Sequence, residues 1–554
     1  MTDIVRGLPS THGDSFQLNT TTLIRHAART FPEQQIVYRT PDGGWDRYTY
    51  ADAYARIQQA ANVLTGLGVG PADVVGILDW NSKRHFELYW AIPGTAAVML
   101  QMNLRLAPED LGYVTTHSGA SVVLVDESLL PAARELAPHA PGVRTWVVMS
   151  DRPSSEIDPG LPNAVFFEDL MAEASAEYDW PVIDETSAYS ACYTTGTTGR
   201  PKGVYYSHRG IYLHTMAQAA AVKMGSDDTV MLITPMFHGQ SWGLPQSAVY
   251  SQAKVVLPGR YAAEDTSVLV DAMIAEQVTV ANGAPAIFGP MLAYLETLDE
   301  APDLSRARLL CGATEPPLSM MRGFFELTGA DVIHAYGATE TTPFVTVNAG
   351  IKPTLTGLSD DQRWDLKRCQ GLPVNGIEVR IVDAAGADLP HDGVAEGELL
   401  IRGPWITERY HDLDDAPGER FIDGFWRSGD VATIYPNGYL KVVDRLKDVV
   451  KSGGEWISSI DMENAVVAHP RVAEAAVIGV AHPKWQERPV VLLATVDGDD
   501  VPLSEIHDLL ATRFAKWQLP DTVIRVDALP RTSVGKLDKK VMRVEYADLY
   551  QVVR

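Results

Sequence analysis

Three cysteines in 554 residues, Cys192, Cys311 and Cys369, are too few and too widely spaced for a disulfide framework or a four-thiolate metal site. They suit a reducing compartment, so the expected location is cytoplasmic. Long apolar runs are missing too. The most apolar stretch, "AIPGTAAVML" at 91–100, is far short of the roughly 20 residues a membrane-spanning helix needs. The opening "MTDIVRGLPSTHGDSF" lacks the apolar core of a secretory signal. Positive charge is in deficit, with 46 Lys+Arg against 71 Asp+Glu and a formal net charge of −25. That field repels a nucleic-acid backbone, so no nucleic acid is expected as a partner. An anionic ligand must then be met by local basic side chains or by backbone N–H groups.

What is present is the composition of a folded enzyme, 46% hydrophobic and 21% charged, on a chain long enough for more than one domain. "TYADAYARIQQAANVLTGLG" (49–68) places Tyr54, Ile57, Ala61 and Leu64 at helical spacing, with Gly66 or Gly68 as the stop. "DVVGILDW" and "SVVLVD" read as buried strands, and the βα rhythm continues through "AKVVLPG", "VTVANGAP", "RARLLCGA" and "DVIHAYGATE". Near residue 372 turn signals begin to separate short strands, and from about 446 a compact α+β unit follows. The expected fold class is α/β. A large N-terminal domain (1–445) of parallel and mixed sheets covered by helices includes a β-rich subdomain (about 372–445). A small mobile α+β C-terminal domain (446–554) completes it.

"CYTTGTTGRPKGVYYSH" (192–208) concentrates glycine, hydroxyls and one lysine between strand-like runs. Glycines allow consecutive N–H groups to approach phosphate oxygens, Thr194, Thr195, Thr197 and Thr198 add hydroxyl donors, and Lys202 adds a positive charge. No Ser/Thr follows a Gly-Lys as the P-loop requires. The stretch "YTTGTTGRPKG" resembles the signature of the adenylate-forming superfamily. "PMFHGQSWG" (235–243), "YGATET" (336–341), "GELLIRGP" (397–404), "WRSGD" (426–430), "DRLKDVVKSGGEWIS" (444–458) and "PRTSVGKLDKK" (530–540) follow in the order of that family. "KSGGEWISS", "HPKWQERP" and "FAKWQLPD" are similar to its medium- and long-chain fatty acyl-CoA ligase branch.

The resemblance implies an acid–CoA ligase. A carboxylic acid and ATP give acyl-adenylate and pyrophosphate, and the acyl group then passes to coenzyme A. It implies catalytic roles for Lys536, His238, Glu340 and Thr339, with Glu340 holding Mg2+. ATP would be held by Thr194, Thr195, Gly196, Thr197, Thr198, Lys202, Tyr336 and Gly337, with Asp430 and Arg445 at the ribose. Lys447 would be the hinge of a domain rotation between the half-reactions. Lys451, Gly453, Gly454, Glu455 and Trp456 would face CoA, and Gly239, Gln240, Trp242, Gly312 and Glu315 would line the acid's pocket. The implied partners are a small-molecule carboxylic acid, ATP/AMP and CoA, with no membrane span and with room for a homodimer.

Three departures from the family's pattern stand out. "FHGQSW" stands where close relatives carry "FHVNAW", Thr314 and Glu315 stand where small residues are usual, and Thr195 replaces the commoner serine. A carboxylate buried without a partner is costly, so Glu315 should meet a donor from adenine, substrate or protein. The changes point to a bulky or functionalised acid. Two alternatives stay open at this point: thioesterification of a supplied acyl-adenylate only, and a degenerate nucleotide-binding or interaction protein.

Overall fold

The computed structural model describes residues 5–550 other than 6, 14, 195–199, 263–264, 414–418, 454, 497 and 532–536. The chain divides into two compact units, residues 1–378 with 402–426, and residues 379–401 with 427–554.

The first unit holds two helix-covered sheets. One has seven strands, ordered Ala164–Phe166, Thr145–Met149, Ala120–Asp126, Val74–Leu78, Val98–Gln101, Ala188–Thr194 and Lys202–Ser207. Val74–Leu78 and Val98–Gln101 are buried at every position, which explains their apolar sequence up to Gln101. The neighbouring helix Tyr50–Gly66 starts from a capping box in which Thr49 and Asp52 exchange hydrogen bonds. Ile57, Ala61 and Leu64 are buried on its inner face, as their spacing predicts, and Tyr54 is half-buried. The last two strands of the sheet form an antiparallel hairpin that pairs Thr194 with Lys202.

The other sheet has nine strands. Thr229–Met231, Val280–Gly283, Arg308–Cys311 and Asp331–Gly337 run parallel at its centre, with Gly283 aligned to Cys311 and Cys311 to His334. Their carboxyl ends therefore lie side by side. From these ends leave the segments 235–243, 312–317 and 338–341. Ligands of open parallel sheets collect along such an edge.

In the second unit, strands Phe425–Ile434 and Leu440–Arg445 pair antiparallel, and beyond them the chain builds a further sheet. Val472–His482 and Gln486–Thr495 form its long hairpin, joined by Val450–Ser452, Glu455–Ile457 and Thr522–Arg525. Val450, Met462, Val477, Val491, Ile506 and Leu510 belong to its core. The segments 379–401 and 427–445 group with this unit, whereas sequence character alone put the boundary after 445. Lys441 pairs with Asp461 (3.2 Å), and Asp444 accepts from Ser459 N (2.6 Å), tying the earlier hairpin to the helix Ser459–Val467. Among the described residues, no helix is long and apolar enough to cross a membrane.

Candidate active site

The hairpin Ala188–Ser207 delivers Lys202 beside the strand end that carries Glu340. Tyr206 OH donates to Thr339 O (2.7 Å), and Thr407 N donates to Glu340 O (2.9 Å). Tyr410 OH donates to Glu340 Oε1 (2.8 Å), while Lys202 Nζ lies 5.0 Å from the centre of the Tyr410 ring. Burial first, and then the Glu340 charge, raises the Tyr410 phenol far above its ordinary value, which keeps the proton on the donor. Glu340 Oε2 accepts no hydrogen bond among the described residues. A half-buried carboxylate with one oxygen held by Tyr410 and the other not so held suits a hard cation shared with phosphate oxygens, so the residue fits the Mg2+ that the sequence implies. Among the described residues, no group of three or more His, Cys, Asp or Glu could hold a metal by itself.

Gly337 is required where it stands, since a Cβ there would lie 1.4 Å from Pro343 O. Tyr336, just before it, is half-buried.

The segment Gly239–Gly243 forms a left-handed turn. Its φ values run 51°, 53°, 48°, 59° and 77° from Gly239 to Gly243. Left-handed backbone costs non-glycine residues about 1–2 kcal/mol each, so Gln240, Ser241 and Trp242 need external support. Asn282, wholly buried, supplies part of it. Its Oδ1 accepts from Ile233 N and Thr234 N (both 3.1 Å), and its Nδ2 donates to Ser241 O (2.8 Å). Gln218 Nε2 donates to Trp242 O (2.7 Å). The turn buries Gln240 and leaves Trp242 and His238 half-buried. A Cβ on Gly312 would lie 2.9 Å from Trp242 Cη2, and one on Gly239 would lie 3.6 Å from Pro343 Cγ. The structure thus brings together Lys202, Thr339, Glu340, Gly239, Trp242 and Gly312, drawn from segments far apart in sequence.

Glu315 meets a protein donor. Its side chain is 4% exposed and pairs with Arg368, whose own carbonyl is bonded to His334 Nδ1 (2.6 Å). Burial lowers His334 to about 4, so the ring is neutral and donates that hydrogen bond.

Within the second unit, Asp430 and Arg445 are cross-strand partners, with Arg445 Nε 2.8 Å from Asp430 Oδ1. Lys447 lies in the turn that follows. Burial lowers its pKa, and Val449 N closes the turn on Arg445 O (2.9 Å). Lys451 N donates to Glu487 Oε2 (2.8 Å), and Gly453, at φ 64°, donates to Trp485 O (2.8 Å). Trp456 is an exposed neighbour of Lys451 across the hairpin Val450–Ile457. Thr195, Gly196, Thr197, Thr198, Gly454, Lys536 and the side chain of Glu455 lie outside the described residues.

Sequence reasoning missed Tyr410, Asn282 and Gln246. Tyr410 stands in "ERYHD", with no glycine or hydroxyl cluster to mark it. Asn282 sits inside an apolar strand, where a lone amide reads as a blemish. Gln246 is six residues from Gln240, a spacing that means nothing until the intervening backbone turns left-handed.

Comparison with known proteins agrees over nearly the whole length. Residues 24–411 match the family model described as AMP-binding enzyme, and residues 461–536 match the AMP-binding enzyme C-terminal domain. The 3-methylmercaptopropionyl-CoA ligase of Ruegeria lacuscaerulensis is 39% identical over 95% of this chain and 97% of its own. The medium-chain-fatty-acid–CoA ligase of Ectopseudomonas oleovorans is 37% identical over 96% of this chain and 97% of its own. The long-chain-fatty-acid–CoA ligase of Thermus thermophilus is 38% identical over 99% and 98%. Among solved structures, an anthranilate CoA ligase in complex with anthranoyl-AMP superposes with a TM-score of 0.82 at 24% identity, covering 96% of this chain and 97% of that one. At that identity the likeness speaks for the fold.

Proposed function

The chain belongs to the AMP-binding enzyme family, and we propose that its own residues divide the two half-reactions of an acid–CoA ligase as follows. ATP, a carboxylic acid and CoA are the substrates. In the first half-reaction a carboxylate oxygen attacks the α-phosphorus of ATP. The bond from that phosphorus to the bridging oxygen breaks, and pyrophosphate leaves with the electron pair. In the second, the CoA thiolate attacks the acyl carbon. The bond to the AMP oxygen breaks, AMP leaves, and the thiol proton goes to solvent.

Lys202 and the hydroxyls of Thr194, Thr195, Thr197 and Thr198 hold the phosphates, with the N–H groups of Gly196 beside them. Tyr336 and Gly337 face the adenine, and Thr339 holds an α-phosphate oxygen. Asp430 and Arg445 take the ribose hydroxyls. Glu340 would hold Mg2+, which when bound would supply positive charge beside the phosphates. Tyr410 orients Glu340 by occupying one of its oxygens, leaving the other for the metal. His238 stands by the incoming carboxylate, and Lys536 stabilises it during attack. Rotation about Lys447 brings Lys451, Gly453, Gly454, Glu455 and Trp456 to CoA. A cytoplasmic homodimer belongs to the same reading, and three buried free thiols suit that compartment.

The observation that carries this reading is the convergence at one sheet edge of Lys202, Tyr410 and Glu340 with the left-handed turn at 239–243. The relatives are named as ligases, which favours the complete reaction over thioesterification alone or a degenerate binding protein. For the acid, Gln240 favours a functionalised molecule. Glu315 adds less, because Arg368 already meets its charge. The test is carboxylate-dependent ATP–pyrophosphate exchange over linear, aromatic, branched and polycyclic acids, followed by thioester formation with CoA. Acid-dependent exchange without thioester, or thioester only from a supplied acyl-adenylate, would overturn it.

A further inference from the structure

We infer that the acid this enzyme activates carries a hydroxyl group on its chain, read by the paired carboxamides of Gln240 and Gln246. The inference rests on the preceding reading of the 238–243 turn as the wall of the acid's pocket.

Both side chains are buried, Gln240 1% exposed and Gln246 fully covered. The hydrogen-bond network fixes which way each amide points. Tyr189 OH donates to Tyr89 O (2.7 Å), so toward Gln246 it can only accept. Gln246 Nε2 therefore faces Tyr189 OH (3.3 Å), and the same nitrogen donates to Gln240 Oε1 (3.1 Å). That arrangement consumes one half of each amide. Gln240 Nε2, a donor, and Gln246 Oε1, an acceptor, are left buried with no partner among the described residues.

Two such atoms in one place are a strong chemical statement. A buried polar atom without a partner costs about 1–3 kcal/mol, and buried groups are nearly always paired. Neither side chain can turn to help itself, because flipping either amide breaks a bond it already makes. One hydroxyl satisfies both, accepting from Gln240 Nε2 and donating to Gln246 Oε1. A ketone or an ether can satisfy only the donor, and an alkyl chain satisfies neither.

The surroundings are polar as well. Gln218 bridges the turn to the next helix, through its Nε2 to Trp242 O and its Oε1 from Ser247 Oγ (2.7 Å). Thr215 Oγ1 and His214 Nε2, both buried, have no partner among the described residues. A Cβ on Gly243 would lie 2.5 Å from His214 Cε1, which places this group directly against the turn. A plain alkyl chain laid here would supply a partner to none of these atoms.

The test compares matched straight-chain acids, each with and without a single hydroxyl moved along the chain. The readouts are kcat/KM for ATP–pyrophosphate exchange and for thioester formation. At one hydroxyl position the hydroxy acid should exceed its plain counterpart by on the order of 100-fold. Gln240→Met should cut that ratio at least about tenfold, a readout independent of total activity. If plain acids equal or exceed their hydroxy counterparts at every position, the two atoms serve bound water and the inference falls while the ligase reading stands. An unchanged ratio in Gln240→Met also overturns it. Exchange with neither set, when other acids do support it, overturns the hydroxyl alone, and exchange with no acid at all overturns the ligase reading together with it. Should Gln240→Met fail to fold, the wild-type ratios decide.

Discussion

The phenol of Tyr410 donates its proton to Glu340 Oε1 at 2.8 Å, and Lys202 Nζ sits 5.0 Å from the centre of the same ring. One neutral aromatic alcohol thus contacts both the lysine, through its ring, and the carboxylate, through its hydroxyl. The arrangement accords with the proposed roles of Lys202 at phosphate and of Glu340 at a cation.

Tyr410→Phe keeps the ring under Lys202 and removes only the donor to Glu340. A hydrogen bond to a charged group contributes about 1.5–3 kcal/mol, so ATP–pyrophosphate exchange should fall roughly 10- to 100-fold. The magnesium concentration giving half-maximal rate should rise with it. A magnesium titration of the exchange rate checks both, and an unchanged profile would remove Tyr410 from the site.

Asp430→Asn keeps shape and discharges the carboxylate that faces Arg445. Arg445 is half-exposed and rehydrates readily, so stability should change by less than about 1 kcal/mol. In the proposed role at the ribose the KM for ATP should nevertheless rise about tenfold or more, because an amide accepts fewer hydroxyl hydrogen bonds than a carboxylate. Nucleotide binding by calorimetry alongside thermal unfolding separates the two effects.

Asn282→Ala withdraws the buried amide that holds Thr234 N, Ile233 N and Ser241 O. Stranding those groups should cost about 3 kcal/mol in urea unfolding. Since Ser241 lies inside the left-handed turn, the KM for the acid should rise more than the KM for ATP. Equal effects on both substrates would show that Asn282 supports the sheet and not the pocket.

The buried histidines should cost the fold stability in mild acid. Burial lowers His85, His208 and His334 to about 4 and His214 to about 3, against an ordinary 6.5. Below 6.5 the unfolded chain takes up protons that the folded chain refuses. Stability is therefore full above about 6.5 and is lost as pH falls toward 4, by about 1.4 kcal/mol per pH unit for each histidine. Asp79, Asp126, Glu396, Asp444 and Glu463, all raised by burial, act in the opposite direction and reduce the net slope. Melting temperatures between pH 7 and 5 check this, and a flat profile would contradict it.

The sequence alone determined the α/β class, because unbroken Val/Ile/Leu runs alternating with helices have few ways to bury themselves other than parallel sheets covered on both faces. It also located the glycines where backbone must approach backbone, such as Gly337 beneath Pro343 O, since only the residue without a Cβ fits there. Lys202, Glu340, Asp430 and Arg445 were visible as charged residues inside ordered motifs.

What only the tertiary structure decided are relationships between segments that carry no local signal. Sequence could say that Glu315 needed a donor, but not that Arg368 provides it from a helix end more than fifty residues away. Tyr410 entered the site because residues 402–426 pack with the first unit, although the segments on either side of them belong to the second. Gln240 and Gln246 became one reading pair only through a backbone that runs left-handed between them. Propensity disfavours that conformation for three of its five residues, and distant amides such as Asn282 enforce it. Local chemistry is written in order along the chain, but the partner of each buried polar group is fixed by which elements pack side by side.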